Sequence, residues 1–148
     1  MSSIGNQILE AQLLALNTGR PGGVPAVERE MLDDLPEGVD LAISIGEHKE
    51  VVERKGGPRG PVVIRHLITA VDCWARGTST ASAGAQLDPL LCWVTQALGG
   101  SRLGGLIDTE VELETQWDRE RRLVRMAHAT VFVVADFMTK VDDRTVRS

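Results

Sequence analysis

Aromatic residues are scarce in this chain: only 3% are Phe, Trp or Tyr, and Tyr is absent. Proteins that bind single-stranded nucleic acid or sugars commonly stack aromatic side chains on their ligand. Basic residues are also fewer than acidic ones: the chain has 16 Lys and Arg and 21 Asp and Glu, which gives a net charge of −5. A protein that grips nucleic acid electrostatically needs a net basic face. The composition therefore argues against these classes of binding protein.

Long apolar runs and targeting signals are missing as well. No segment reaches the roughly 18 consecutive apolar residues of a membrane span. The first residues, MSSIGNQILE, have no basic region and include Glu10, unlike a signal peptide. We therefore expect a cytoplasmic origin and no membrane partner. Cys73 and Cys92 are too few for a disulfide framework, and we expect both to be free thiols in the core.

Signatures of catalysis and of metal binding are not found. The three histidines, His48, His66 and His128, have no partner at a metal-ligand spacing. No G-x-S-x-G elbow is present, and the glycine-rich PGGVP and LGGSRLGGL lead into strands rather than into phosphate-binding helices. We predict no catalytic residue, no cofactor and no enzyme. His128 lies inside an apolar strand, where a hydrogen-bonded sheet histidine is the better interpretation.

Helical spacing of apolar residues predicts two helices in one globular domain of 148 residues. In the first helix, Ser2 or Ser3 is the N-cap, and the apolar positions are Ile4, Ile8, Leu9, Leu13 and Leu16. The second helix lies in STASAGAQLDPLLCWVTQALGG. It either begins at Pro89 with Asp88 as its cap, or starts near Ser79 and is kinked at Pro89. We favour the kinked helix.

Alternating apolar residues predict five strands, at about 26–31, 39–45, 62–77, 106–117 and 121–136. The polar segment 46–61 is predicted to be a long flexible hairpin loop, and 138–148 a polar C-terminal tail. Most strands are joined by hairpins, so the sheet should be mostly antiparallel. The fold class is therefore α+β, a two-layer sandwich with two helices packed on one face of the sheet.

The segment IDTEVELETQW alternates carboxylates with apolar or small residues, at Asp108, Glu110, Glu112 and Glu114. A solvated strand face is the simplest interpretation, and a glycosidase pair is unsuited because the acids lie along one strand. If Arg119 and Glu120 form the turn that follows, Glu114 lies opposite Arg125. A turn longer by one residue places Glu114 opposite Met126 instead.

The last strand is apolar on both faces over TVFVVA, which a two-layer monomer with one wet face does not need. Another surface must cover the second face. Long strands, an apolar far face and a row of like charges suggest a subunit whose sheet packs against its neighbours in a ring. The acids would then meet basic residues of the next subunit or line a central hole.

Four stretches of the chain carry a family resemblance: IRHLITAVDCWARG, LDPLLCWVTQAL, GGSRLGGLI and EVELETQWDRERRLVRMAHATVFVV. The helix ILEAQLLALN and the turn DDLPEGVDLAISI fit the same order of elements. With these features the chain resembles the tail terminator proteins of long-tailed bacteriophages, the minor tail protein U-like family. The resemblance covers most of the chain.

The resemblance implies a structural virion protein rather than an enzyme. Tail terminators form a homo-hexamer, a ring on the last ring of tail tube protein, which ends tube polymerisation. The ring presents the surface for the head–tail connector protein, and DNA passes through it without specific binding. The protein would be assembled in the host cytoplasm and lie at the neck end of the tail. Alternatives are a neck or head-completion adaptor, or a small ligand-binding domain or enzyme.

On this resemblance two sets of residues gain expected roles. The acids Asp108, Glu110, Glu112 and Glu114, with Arg125 beside them, are candidates for a DNA-repelling lumen or for a subunit interface. Glu47, Glu50 and Glu53 are further lumen candidates. Mg²⁺ bridging carboxylates at subunit contacts would make assembly cation-dependent. The basic residues of the 46–61 loop are candidates for docking on the tube: Lys49, Arg54, Lys55 and Arg59.

Overall fold

The structure is a computed structural model that describes residues 3–29, 35–56, 60–78, 82–99, 109–118, 126–140 and 143–147; for 109–118, 140, 143 and 145–147 it describes the backbone alone. Two helices and five strands follow one another along the chain. They are α1 (Ile4–Asn17), β1 (Leu41–Lys55), β2 (Val62–Arg76), α2 (Ala83–Leu98), β3 (Thr109–Asp118), β4 (Met126–Lys140) and β5 (Asp143–Arg147).

The strands form one antiparallel sheet in the order β1-β2-β4-β3, and β5 also pairs with β4. Strand β2 pairs with β4 along its whole length, from Val62 opposite Lys140 to Arg76 opposite Met126. One edge of β4 is therefore filled by β2, and β3 and β5 share the other edge. The predicted antiparallel sheet is confirmed.

The core lies on one face of this sheet, beneath both helices. On β2 the helix-facing residues Val71, Cys73 and Ala75 are fully buried. They belong to one apolar cluster with residues of α1, α2, β1 and β4, including Leu9, Leu16, Ile43, Ile45, Leu87, Val94 and Val131. A smaller cluster extends this layer under the start of α1: Ile4, Ile8, Leu67, Ala135 and Phe137. The predicted two-layer α+β sandwich is confirmed.

Serine caps start both helices. The Ser3 hydroxyl accepts a hydrogen bond from the Asn6 N–H at 3.1 Å, and Ser82 accepts one from the Ala85 N–H at 3.1 Å. Helix α2 then runs through Pro89, so the longer of the two predicted helices is correct, although it begins at Ala83. In the described part of the chain, neither helix is long and apolar enough to cross a membrane.

The long flexible loop predicted at 46–61 is wrong. Strand β1 continues to Lys55 and β2 begins at Val62, so only residues 56–61 connect them. We call residues 47–55 of β1 the arm; its side chains are exposed except that of Glu50. The arm is polar because little of it faces the core, while backbone pairing with β2 holds it as a strand. An irregularity in register lies between Glu47 and Lys49.

Two more predicted boundaries are corrected by strand pairing. In the strand expected at 26–31, the described part contains a single parallel bridge between Glu28 and Ser44, and residues 30–34 lie outside the description. The tail expected at 138–148 includes the end of β4, to Lys140, and the whole of β5. Backbone pairing of β4 with β2 and of β5 with β4 holds these polar residues in the sheet.

We expect Leu87→Ala to lower the free energy of unfolding by about 2–5 kcal/mol, since it leaves a cavity at a fully buried position between α2 and the sheet. The matched control is Leu14→Ala, because Leu14 is 69% exposed on α1. Its effect should stay within about 0.5 kcal/mol. Urea unfolding followed by circular dichroism measures both. Equal effects of the two substitutions would contradict the packing of α2 described here.

Candidate functional site

The sheet has a second face, opposite the helices, which the described elements cover at one end only. We call it the open face and define it by partly buried residues of β2 and β4: Ile64, His66, Ile68, Thr130, Phe132, Val134, Asp136 and Met138. At its covered end, Trp74 is 3% exposed and packs with Leu35 and Ala42. The prediction that β4 is apolar on both faces is confirmed, and the open face is the first candidate site.

A buried carboxylate organises the covered end of the open face. Asp72 is 5% exposed, and its Oδ1 accepts a hydrogen bond from Thr130 Oγ1 at 2.5 Å and lies 2.9 Å from His128 Nε2. The His128 ring stacks on Trp74, with ring centres 4.0 Å apart and 13° between the planes. The hydrogen-bonded sheet histidine predicted for His128 is confirmed. These contacts satisfy a buried charge and tie β2 to β4.

A second histidine ties the arm to β2 and β4. His66 Nδ1 lies 2.5 Å from Asp136 Oδ1, and its Nε2 lies 3.5 Å from Glu53 Oε1. The His48 ring packs against Phe132, with ring centres 4.7 Å apart. All three histidines of the chain therefore lie on the same side of the sheet. Each histidine contacts a residue of another strand. Contacts of this kind hold neighbouring strands in position.

The described residues of the sheet form neither a metal site nor a reactive thiol. Among the described residues, no cluster of three or more His, Cys, Asp or Glu is placed to hold a metal ion. Burial raises the pKa of the Cys73 thiol far above its ordinary value, and the neighbouring Asp72 carboxylate adds to the rise. A thiol that stays protonated is a poor nucleophile and a poor metal ligand. Cys73 is therefore a core residue, as predicted.

Cys92 corrects the expectation that both thiols are buried, because it is exposed on α2. The apolar run LLCWV suggested a core position for it. The buried stripe of the helix passes instead through Leu87, Leu90, Leu91 and Val94. The residue after Leu91 falls on the outer side of the helix, since successive residues turn by about 100°.

We expect one thiol per folded chain to react rapidly with Ellman's reagent, and the second to react only after unfolding. Cys92 is accessible, whereas Cys73 is 0% exposed and its raised pKa keeps it protonated. Cys92→Ser should remove the rapid phase, and Cys73→Ser should leave it. Two rapid thiols in the folded protein would contradict the buried position of Cys73.

The arm is the second candidate site. Lys49, Arg54 and Lys55 are exposed on it, and none forms an ion pair with a described residue. Val51 and Val52 are 37% and 48% exposed. With Leu14 they are the exposed large hydrophobic residues of the described chain. The arm therefore offers unpaired positive charge and apolar surface together.

The carboxylates of Glu47 and Glu50 on the arm, in contrast, form ion pairs with arginines of the same chain. Glu47 pairs with Arg29 at 2.7 Å. Glu50 lies deeper, with 18% of its side chain exposed, and pairs with Arg65 at 3.3 Å and with Arg144 of β5 at 2.5 Å. Arg65 is 7% exposed and also donates to Thr139 Oγ1 at 2.9 Å. These pairs connect the arm to β2, β4 and β5, and they make Glu47 and Glu50 poor candidates for a DNA-facing lumen.

We expect Glu50→Gln to lower the free energy of unfolding by about 2–4 kcal/mol, because it leaves the buried Arg65 guanidinium without its carboxylate. The matched control is Glu47→Gln, whose pair with Arg29 is exposed on both sides. That change should cost less than about 1 kcal/mol. Urea unfolding at neutral pH measures the difference. A Glu50→Gln variant as stable as the control would show that Arg65 needs no partner.

The register of β3 on β4 differs from both predicted registers. Glu114 lies opposite Phe132, whereas the sequence predicted Arg125 or Met126 there. The pairing runs from Thr109 opposite Asp136 to Asp118 opposite His128, which is six to seven positions farther along β4 than a turn at Arg119 and Glu120 requires. Strand β3 consequently pairs with the central, apolar part of β4.

The alternation of acids along β3 is interrupted by a register shift between Glu112 and Glu114. Glu112 is opposite Val133, which faces the helices, whereas Glu114 is opposite Phe132 of the open face. Residues opposite each other in an antiparallel pair share a face. The sequence suggested that the acidic positions follow one continuous face of β3. The register shift shows that they do not. Three of the candidate residues lie outside the described part of the chain: Arg59, Asp108 and Arg125.

The folded domain is thus an α+β sandwich whose candidate sites are an apolar open face, a basic arm and an acidic edge strand. No protein-family model matches the chain, and no curated protein sequence matches it significantly. Among solved structures, it is similar to a chain of the virion of a native gene transfer agent particle, at 17% identity with a TM-score of 0.44. That alignment covers 93% of this chain and 92% of the other.

It is also similar to the sheath/tube terminator of an extracellular contractile injection system in its extended state, at 15% identity with a TM-score of 0.44. The alignment covers 97% of this chain but only 60% of that one.

Proposed function

We propose that this chain is a structural subunit of a bacteriophage tail, a tail terminator of the minor tail protein U-like type. Six copies form a ring that caps the tail tube, ends its polymerisation and provides the surface to which the head–tail connector protein binds. The observation that carries the proposal is the open face. The sequence resemblance through IRHLITAVDCWARG and the closing hairpin supports the same role.

The open face carries apolar side chains that remain partly accessible to solvent. Ile64, Ile68, Phe132, Val134 and Met138 lie together on it and are only partly buried in the isolated chain. A row of partly accessible apolar side chains is a candidate contact for another protein. In a ring or on a tube, neighbouring subunits would cover it. This supports a role in an assembly.

The net charge of −5 suits a ring through which DNA passes without binding. Carboxylates repel the phosphate backbone, so an acidic lumen lets the duplex slide. Glu110, Glu112 and Glu114 of β3, with Asp108, are candidates for this lumen or for a subunit contact. Where carboxylates crowd at such a contact, Mg²⁺ would bridge them and favour assembly.

The connection between β1 and β2, residues 56–61 with Arg59 in its sequence, is the candidate for docking on the tube. The protein would be assembled in the host cytoplasm and retained at the neck end of the virion tail.

We expect the purified protein to have a molar mass near six times 16.0 kDa, or to reach it when Mg²⁺ is added, and to bind the ends of isolated tail tubes. Multi-angle light scattering on a sizing column, with and without Mg²⁺, gives the mass. Electron microscopy of tubes mixed with the protein gives the binding.

Binding to the portal side and not to tubes would identify a head-completion adaptor instead. A strict monomer that binds neither structure would contradict the proposed function.

A further inference from the structure

Along the arm, no described strand pairs with the outer edge of β1. Strand β1 is the first strand of the sheet and pairs with β2 on one side only. On its other side, the described residues supply one bridge, in which the Ile45 N–H donates to the Glu28 carbonyl at 3.1 Å. From Gly46 to Lys55 the outward N–H and C=O groups have no backbone partner among the described residues. Such an edge is a template for another strand.

Strand β3 forms the opposite edge of the same sheet. It pairs with β4 from Thr109 to Asp118, and no described strand lies on its other side. Among the described elements there are therefore two unpaired strand edges, one at each end of the sheet, and both are ten residues long.

The two edges carry opposite charge. Lys49, Arg54 and Lys55 of the arm have no ion pair with a described residue, whereas Glu47 and Glu50 are neutralised by Arg29 and Arg65 and by Arg144. The third arm carboxylate, Glu53, lies 3.5 Å from His66 Nε2. Strand β3 has four carboxylates, at Glu110, Glu112, Glu114 and Asp118, and no Lys or Arg. The charges left without an ion pair are therefore mainly positive on the arm, whereas β3 carries only negative charge.

We infer that the arm of one copy pairs with β3 of a second copy, so that the sheet continues from subunit to subunit. Like charges oppose pairing of two arms or of two β3 strands. Opposite charges favour the arm-to-β3 contact, which is head-to-tail and generates a ring or a filament rather than a two-fold dimer. The exposed Val51 and Val52 would be covered by this contact.

This inference rests on the proposed function only for the closure of the ring at six subunits. It assigns the arm cations to the neighbouring subunit and not to the tail tube. It also assigns the β3 acids to a subunit contact in place of the lumen. The sheet edges thereby explain why acid and base are segregated on two strands that lie far apart in one chain.

The test uses two charge-reversed proteins. One carries Lys49→Glu, Arg54→Glu and Lys55→Glu, and the other carries Glu110→Lys, Glu112→Lys and Glu114→Lys. Each alone should need at least about tenfold higher protein concentration for half-assembly, since like charges then meet at three positions. Light scattering over a concentration series measures this shift, and thermal unfolding of each variant checks that it is folded.

Two combinations separate this contact from a general loss of folding or charge balance. A chain with all six reversals should assemble like the wild type, because its edges are again complementary. An equal mixture of the two reversed proteins should also assemble, with the variants alternating around an even-numbered ring. The control, Glu37→Lys with Asp88→Lys, changes exposed acids away from both edges and should leave assembly unchanged.

The inference and the proposed function fail differently. A wild-type hexamer whose half-assembly concentration neither reversal changes would overturn the arm-to-β3 contact and leave the ring intact. Reversed variants that remain unassembled when combined would overturn it as well. A wild type that stays monomeric at every concentration would also overturn it, and binding to tail tubes would then decide the proposed function separately.

Discussion

Continuous antiparallel pairing on both edges of β2 is the constraint on which the rest of the structure depends. All fifteen residues of this strand pair with β4, and most also pair with β1. The alternation along β2 decides which residues meet the helices and which form the open face. A slip by one position would exchange Val71, in the core, with Asp72, which needs Thr130 and His128. The register is therefore held by apolar burial on one face and by a buried carboxylate on the other.

The same pairing extends the sheet beyond its helical cover, and this extension accounts for the candidate sites. Where helices lie over the sheet, the helix-facing residues of the strands are apolar and buried. Beyond them, Arg65 is buried only because Glu50 and Thr139 satisfy it. The arm then carries the remaining charges and the exposed valines on an edge. Among the described elements, the open face and the edge of the arm are therefore the surfaces through which this domain could assemble with other chains.

Sequence patterns predicted the elements that bury a face. The spacing of Ile4, Ile8 and Leu16 located α1, and the β-branched alternation of 62–76 located β2. The arm was mistaken for a loop because its residues bury little, so no period of apolar residues marks it. Cys92 was mistaken for a core residue because an apolar run does not reveal which side of a helix faces outward. Each error arose where local composition and tertiary contact disagree.

The amino-acid sequence by itself determined the fold class, both helices, the central strand and the separation of acids and bases into different segments. It did so because burial imposes a period on side chains and charge is a property of composition. Only the tertiary structure decided the register of β3 on β4, the pairing of Glu50 with Arg65 and Arg144, and the placement of the arm and β3 at opposite edges of one sheet. These features depend on which strands become neighbours, and residues far apart in the chain meet only after the sheet has formed.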